Sequence, residues 1–194
     1  MKPFLTLFFI LLPFFFVKSQ IVSLQNGFIQ TRTKYRSNDV CINNSYAAFV
    51  SIDYFEKKNY YVSSQVGYFQ TGYFSYSYNY LGHLVDNPKF KTNDIHINTT
   101  LRYKIPVYQF FMYAGLGPKM DITINPSSKK EGYIYPYTDH FRNTFGAKFD
   151  FGFCYDINRF RIGLNASYLT NFGNGRFNSN KFVAGISVGY RYKK

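Results

Sequence analysis

The sequence has no tryptophan, only two cysteines and three histidines, and ten acidic residues against 23 basic ones. Two cysteines are too few for a disulfide-stapled miniature fold. The histidines, His83, His96 and His140, are scattered, and a metal centre needs three or four converging ligands. At most two meet anywhere, as where Asp139 precedes His140, so neither a metal nor any other cofactor is expected. Charged residues make up 17% of the chain, below the roughly 25% usual in soluble domains. Past residue 19 no apolar run approaches the roughly 20 residues of a membrane-spanning helix, so a chain that crosses a membrane must do so as a closed barrel. What is abundant is Phe and Tyr, 23 and 20 of 194 residues. That many rings must be buried in something, which excludes disorder, and the length suits one domain.

Residues 1–19 read as a cleaved secretory signal peptide. Lys2 opens a short basic region, Phe4 to Val17 is almost continuously apolar, and Val17 and Ser19 hold the small-residue positions of a cleavage site. The run is too short, and Pro13 interrupts it, for a membrane anchor. Residues 20–194 then form the exported domain.

Its dominant signal is strict alternation. In residues 145–156, Phe145, Ala147, Phe149, Phe151, Phe153 and Tyr155 share one face, while Gly146, Lys148, Asp150, Gly152, Cys154 and Asp156 share the other. A strand separates these sets and a helix mixes them. The same split runs through residues 94–105, 110–124, 160–168 and 181–192, with further apolar faces beginning at Tyr46 and Tyr60. Seven strands are clear. An eighth is expected within residues 22–36, where Phe28 and Ile29 are adjacent and leave the face open.

Connections alternate in length. Short ones fall at about 55–59, 106–109 and 157–159, and long ones at about 37–45, 81–93, 125–142 and 170–180. Short periplasmic turns and long external loops join the antiparallel strands of an outer-membrane barrel, so both chain ends lie on the periplasmic side.

The facing question is whether the apolar sets point into a core or into lipid. A soluble lipocalin-like barrel carries many charged residues outside. Here the polar faces are Gly, Ser, Asn and Thr with scattered charges and no Glu, which suits a packed polar lumen. Aromatic residues gather at strand ends. Tyr54, Tyr60, Tyr103, Phe110, Tyr155, Phe160, Tyr190 and Tyr192 would form a girdle near the short turns, and Tyr46, Tyr68, Phe145, Tyr168 and Phe182 the opposite one. Two girdles flanking an apolar band are the mark of a membrane barrel.

At this point a family resemblance is visible. Arg102, Tyr103, Lys104, Ile105 and Pro106 before a turn, then Met112, Tyr113, Ala114, Gly115, Leu116, Gly117 and Pro118 after it, resemble the outer-membrane β-barrel domain family of Gram-negative bacteria. Residues 145–192 are similar to it too, with a strand ending Ala166, Ser167, Tyr168 and a last strand closing on Gly189, Tyr190, Arg191, Tyr192. The resemblance implies an OmpA- or OmpX-like fold, an all-β, eight-stranded antiparallel up-and-down transmembrane β-barrel. Members often end on an aromatic residue used in assembly, whereas Lys193 and Lys194 follow Tyr192 here.

Eight strands enclose a space that side chains fill. The inward set is expected to hold Asp53, His96, Arg102, Lys104, Lys119, Asp121, Lys148, Asp150, Arg161 and Arg191, where acids and bases pair because an unpaired buried charge is costly. A structural network is the expected role, with a narrow, porin-like channel as one alternative and a soluble lipocalin-like binder as another. No enzyme is expected, the only assembly worth naming being Ser75, Ser77 and His83. Export argues against nucleic acid as a partner despite the positive charge. The expected partners are outer-membrane lipid, lipopolysaccharide phosphates facing Lys89, Lys91, Lys129, Lys130, Arg142 and Arg176, and the barrel-assembly machinery, for a monomer. Cys41 in the first long loop and Cys154 near a short turn would lie about 25 Å apart on a barrel of membrane height, beyond the roughly 7 Å that a disulfide spans, so no bridge is expected.

Overall fold

The computed structural model describes residues 19–34, 40–74, 77–78, 84–85, 89–127, 143–172 and 178–193. Its strands are β1 Ser19–Lys34, β2 Val40–Tyr54, β3 Tyr60–Phe74, the short pair β4 Ser77–Tyr78 and β5 Leu84–Val85, then β6 Lys89–Val107, β7 Phe110–Ser127, β8 Thr144–Ile157, β9 Phe160–Asn171 and β10 Asn178–Lys193. Eight of them close a barrel in the order β1-β2-β3-β6-β7-β8-β9-β10. β10 pairs antiparallel with β1 from Ser19↔Lys193 to Lys34↔Asn178, so no edge remains. The signal-peptide expectation falls outside the described residues, apart from Ser19, which opens β1.

The period-two pattern dictates the facing. Leu101, Leu164, Ile186, Phe151 and their like are exposed on the outer wall, while His96, Thr100, Lys119 and Asp150 are buried inside. A closed ladder wrapped in exposed Leu, Ile, Val and Phe is stable only where the surroundings are apolar, so the barrel spans a bilayer. The lipocalin-like alternative requires the reverse facing and falls with it. Phe28 and Ile29 resolve the ambiguous first strand, Phe28 pointing out and Ile29 in.

The short turns lie where expected. Tyr108 and Asn158 open two-residue turns at φ 56° and 52°, the left-handed backbone that suits the right-handed twist of hairpins. At the other end two expectations need correction. The connections expected at 37–45 and 170–180 are shorter, because strand pairing continues through them. β1 and β2 are joined by residues 35–39, and β9 and β10 by residues 172–177, which leaves 75–88 and 128–143 as the long connections. Cys41 therefore belongs to β2, paired in register with Thr33, rather than to a loop. Cys154 is buried and free.

Candidate functional site

The inner faces of β2 and of β6 to β10 project a column of charge through the barrel. All ten residues expected there point inward, and β-sheet parity also brings in Asp94, Asp156 and Lys181. Glu56 joins from the β2–β3 turn. Seven Lys and Arg side chains thus face six carboxylates, six of the ten acids in the chain.

Three knots can be distinguished. Toward the long connections, Asp121 accepts hydrogen bonds from Lys119 at 2.7 Å and Lys181 at 2.8 Å, and contacts His96 Nδ1 at 2.6 Å. Asn98 Nδ2 lies 2.8 Å from His96 Nε2 and donates to it, so the imidazole carries its proton on Nδ1 and donates to Asp121. Midway, Asp150 is saturated. Arg102 donates to it through Nε at 2.9 Å and Nη2 at 2.6 Å, Ser167 at 2.8 Å and Thr100 at 3.2 Å, while Lys148 sits 3.3 Å away. Lys148 also donates to Gln65 Oε1. Near the short turns, Arg161 grips both oxygens of Asp156 at 2.7 and 3.0 Å and reaches Glu56 at 2.7 Å and Asp53 at 3.1 Å. Arg191 and Lys104 complete that knot through Asp156 at 2.9 Å and Glu56 at 2.8 Å.

Between the knots the lumen is apolar. Ile29, Ala47, Phe49, Phe69, Leu169 and Val183 form one buried cluster, and Tyr61, Phe111, Tyr113 and Cys154 another. Glycine makes room for these rings: the Phe49 ring lies against Gly67 and the Tyr113 ring against Gly152, where any Cβ would collide. The cations lie over ring faces, Lys181 4.3 Å from the Phe69 centroid, Arg161 4.6 Å from Phe111 and Arg102 4.7 Å from Tyr113. Rings and ion pairs together leave a plug, not a passage. Among the described residues no three His, Cys, Asp or Glu side chains gather as a metal-ligand set.

Outside, Tyr46, Tyr60, Tyr68, Tyr103, Phe110, Phe160, Tyr168, Tyr190 and Tyr192 stand exposed on the wall at its two ends. Tyr155 is half-buried, stacked on Phe110 at 4.4 Å with its hydroxyl donating to Gln109. Tyr54 is the correction: it is 6% exposed and lies against the wall, its hydroxyl 2.9 Å from Ser64 Oγ, with Phe55 edge-on to its ring. As the last residue of β2 it is turned aside by the following turn, where Phe55 takes φ 54°. Ser75, His83, His140, Lys129, Lys130, Arg142 and Arg176 lie outside the described residues, as do the side chains of Ser77, Lys89 and Lys91.

The turn carboxylate gives the lumen an acid limit. Burial opposes the Glu56 carboxylate, but Arg161 and Lys104 outweigh it and hold the carboxyl below its ordinary value of 4.5. A group depressed in the folded state stabilises above its unfolded pKa and loses that contribution as pH falls through the folded one. Glu56→Gln is expected to cost about 1–2 kcal/mol at neutral pH, with the gap from wild type closing below about pH 4.5. Urea midpoints from pH 7 to pH 3 check this, and a gap independent of pH would refute it.

No family model matches the sequence and no curated protein does. Among solved structures the chain is similar to Ail, the attachment invasion locus protein of Yersinia pestis, at 14% identity and TM-score 0.50 over 91% of this chain and 100% of that one. It is also similar to NspA, neisserial surface protein A, at 12% identity and TM-score 0.50 over 88% and 97%. At such identities the likeness is one of fold. The shared fold is a closed antiparallel barrel of eight strands.

Proposed function

We propose that this outer-membrane barrel works as a structural and surface-interaction element through its external connections, with its lumen serving as a rigid filling. The observation that carries the reading is the plug. Phe49, Phe69, Ile29 and Leu169 fill the lumen beside ion pairs that leave no cation of the three knots without an acidic or hydrogen-bonding partner. Ions crossing such a lumen would have to strip paired charges and wet an apolar layer. The narrow-channel alternative is therefore disfavoured, and the reading asks for no catalytic step.

Two of the external connections, 75–88 and 128–143, are long enough to present a surface, and they carry or adjoin Lys89, Lys129, Lys130 and Arg142. Phosphates of lipopolysaccharide suit this charge, and Arg32, exposed on the outer wall at the same end, extends it. The assembly machinery is the other expected partner, and the barrel works as a monomer in this reading. Planar-bilayer recordings of the refolded barrel are expected to show no unitary current steps. Reversing the loop charges is expected to weaken lipopolysaccharide binding at least several-fold while the heat-dependent gel mobility of the barrel persists. Steady ion-selective steps, or lipopolysaccharide affinity indifferent to loop charge, would overturn the reading.

A further inference from the structure

One part of the outer wall is not smooth. Ala114 of β7 stands in register between Tyr103 of β6 and Phe151 of β8, and the next row along pairs Leu101, Leu116 and Phe149. A methyl between two rings leaves a notch, and these six residues with Tyr60 line a groove of about 630 Å³ that is almost wholly apolar. The groove is a shallow depression, open along the outer wall.

The groove begins beside a turn that presents only positive charge. Tyr60 pairs with Tyr103 at the start of β3, directly after residues 55–59. The turn is fixed by backbone bonds, Lys57 N donating to Tyr60 O at 2.8 Å and Lys104 N to Asn59 O at 2.7 Å. Asn59 Nδ2 reaches the Tyr103 hydroxyl at 3.5 Å, so the polar end of a groove-lining ring is tied to the turn. Lys57, Lys58 and Asn59 are exposed, whereas the acids nearby, Glu56 and Asp156, turn inward to Arg161, Arg191 and Lys104. Among the described residues no exposed acid offsets the two lysines.

From this juxtaposition we propose a specific site for one anionic phospholipid of the periplasmic leaflet, its phosphate at Lys57, Lys58 and Asn59 and an acyl chain lying in the groove over Ala114. The site rests on the membrane-barrel reading, since only a bilayer supplies a chain and a headgroup at these two levels together. Two ammonium groups beside a headgroup favour a net negative charge over a zwitterion. Arg159 provides the internal contrast. It is exposed at the same rim, but its guanidinium donates to Tyr190 on another side of the barrel, away from the groove-lining residues.

The test is native mass spectrometry of the refolded barrel in mild detergent with equimolar phosphatidylglycerol and phosphatidylethanolamine of identical chains. Wild type is expected to keep one lipid, with about tenfold preference for phosphatidylglycerol. Ala114→Phe, or the smaller Ala114→Leu, is expected to abolish retention of either lipid by filling the notch. Lys57→Gln with Lys58→Gln is expected to bring the preference to about one, and Arg159→Gln to leave it unchanged. Equal retention of both headgroups by wild type, full retention by the Ala114 variants, or a loss in Arg159→Gln equal to that of the lysine pair would overturn the site. Gel mobility of boiled and unboiled samples separates the two levels of failure: a wild type without a heat-dependent shift refutes the barrel, whereas a normal shift with any of those lipid results refutes the site alone.

Discussion

Asp150→Ala is expected to lower the stability of the folded barrel by about 3–5 kcal/mol. Asp150 is 1% exposed and accepts from Arg102, Ser167 and Thr100, with Lys148 at 3.3 Å. Removing the carboxylate leaves two cations facing each other in a lumen from which water is largely excluded. The nearest other acid is Asp53, whose Oδ1 stands 3.8 Å from Arg102 Nη1 while its Oδ2 is engaged by Arg161, so one carboxylate would be left to share between two guanidinium groups and none would face Lys148. The loss therefore reports an uncompensated buried charge and not the net worth of the ion pair. That distinction can be measured. Replacing the whole knot, Asp150→Leu with Arg102→Met and Lys148→Met, is expected to recover most of the loss, since apolar side chains of similar volume do the same filling without desolvating charge. Urea titration of barrels folded into vesicles checks both, with the folded fraction read from gel mobility because the chain has no tryptophan. Asp150→Ala within 1 kcal/mol of wild type would mean that the knot is hydrated and the lumen open, which would revive the channel.

How much of this was legible depended on whether a strand's two faces differ. In β8 they differ at every position, so Lys148 and Asp150 could be placed inside and Phe149 and Phe151 outside from sequence alone. In Phe28–Ile29, Tyr68–Phe69, Tyr168–Leu169 and Phe182–Val183 an apolar pair straddles the wall, one residue facing lipid and the other the lumen. Alternation of polarity vanishes there, which is why Ile29, Phe69 and Leu169, part of the core of the plug, escaped prediction, whereas Val183 was carried inward by the alternation of its neighbours. Glu56 escaped for another reason: a turn residue has no face. Asp94, Asp156 and Lys181 carried the parity signal and could have joined the set on it. Parity, however, gives direction and not partners. Arg161 meets Asp53 across 108 positions of sequence, and that meeting depends on the stagger of the closed sheet, which no local pattern encodes. The lipid-side groove was equally hidden, because Ala114 reads as an ordinary outward residue until Tyr103 and Phe151 are found on either side of it.

Leu164→Arg is expected to destabilise the folded barrel by about 2–4 kcal/mol, and Tyr168→Arg on the same strand by about 0–1 kcal/mol. The outward face of β9 reads Phe160, Ile162, Leu164, Ala166, Tyr168, so Leu164 lies midway between the aromatic residues of the two girdles. Its register partners are Phe153 and Ile186, both exposed and apolar, which leaves an arginine there no polar neighbour directly across either strand. A guanidinium at that depth must stay in hydrocarbon or drag water and headgroups toward itself, whereas one at Tyr168 reaches the interface along its own stem. The contrast between the two positions is the informative quantity, because a barrel with water outside would treat Leu164 and Tyr168 alike. Urea midpoints of the two variants in vesicles, referred to wild type, measure it. A depth-dependent penalty fixes the bilayer centre near the middle of β9. Equal and small penalties would move the membrane boundary off this belt and take both the facing of the wall and the lipid site with it.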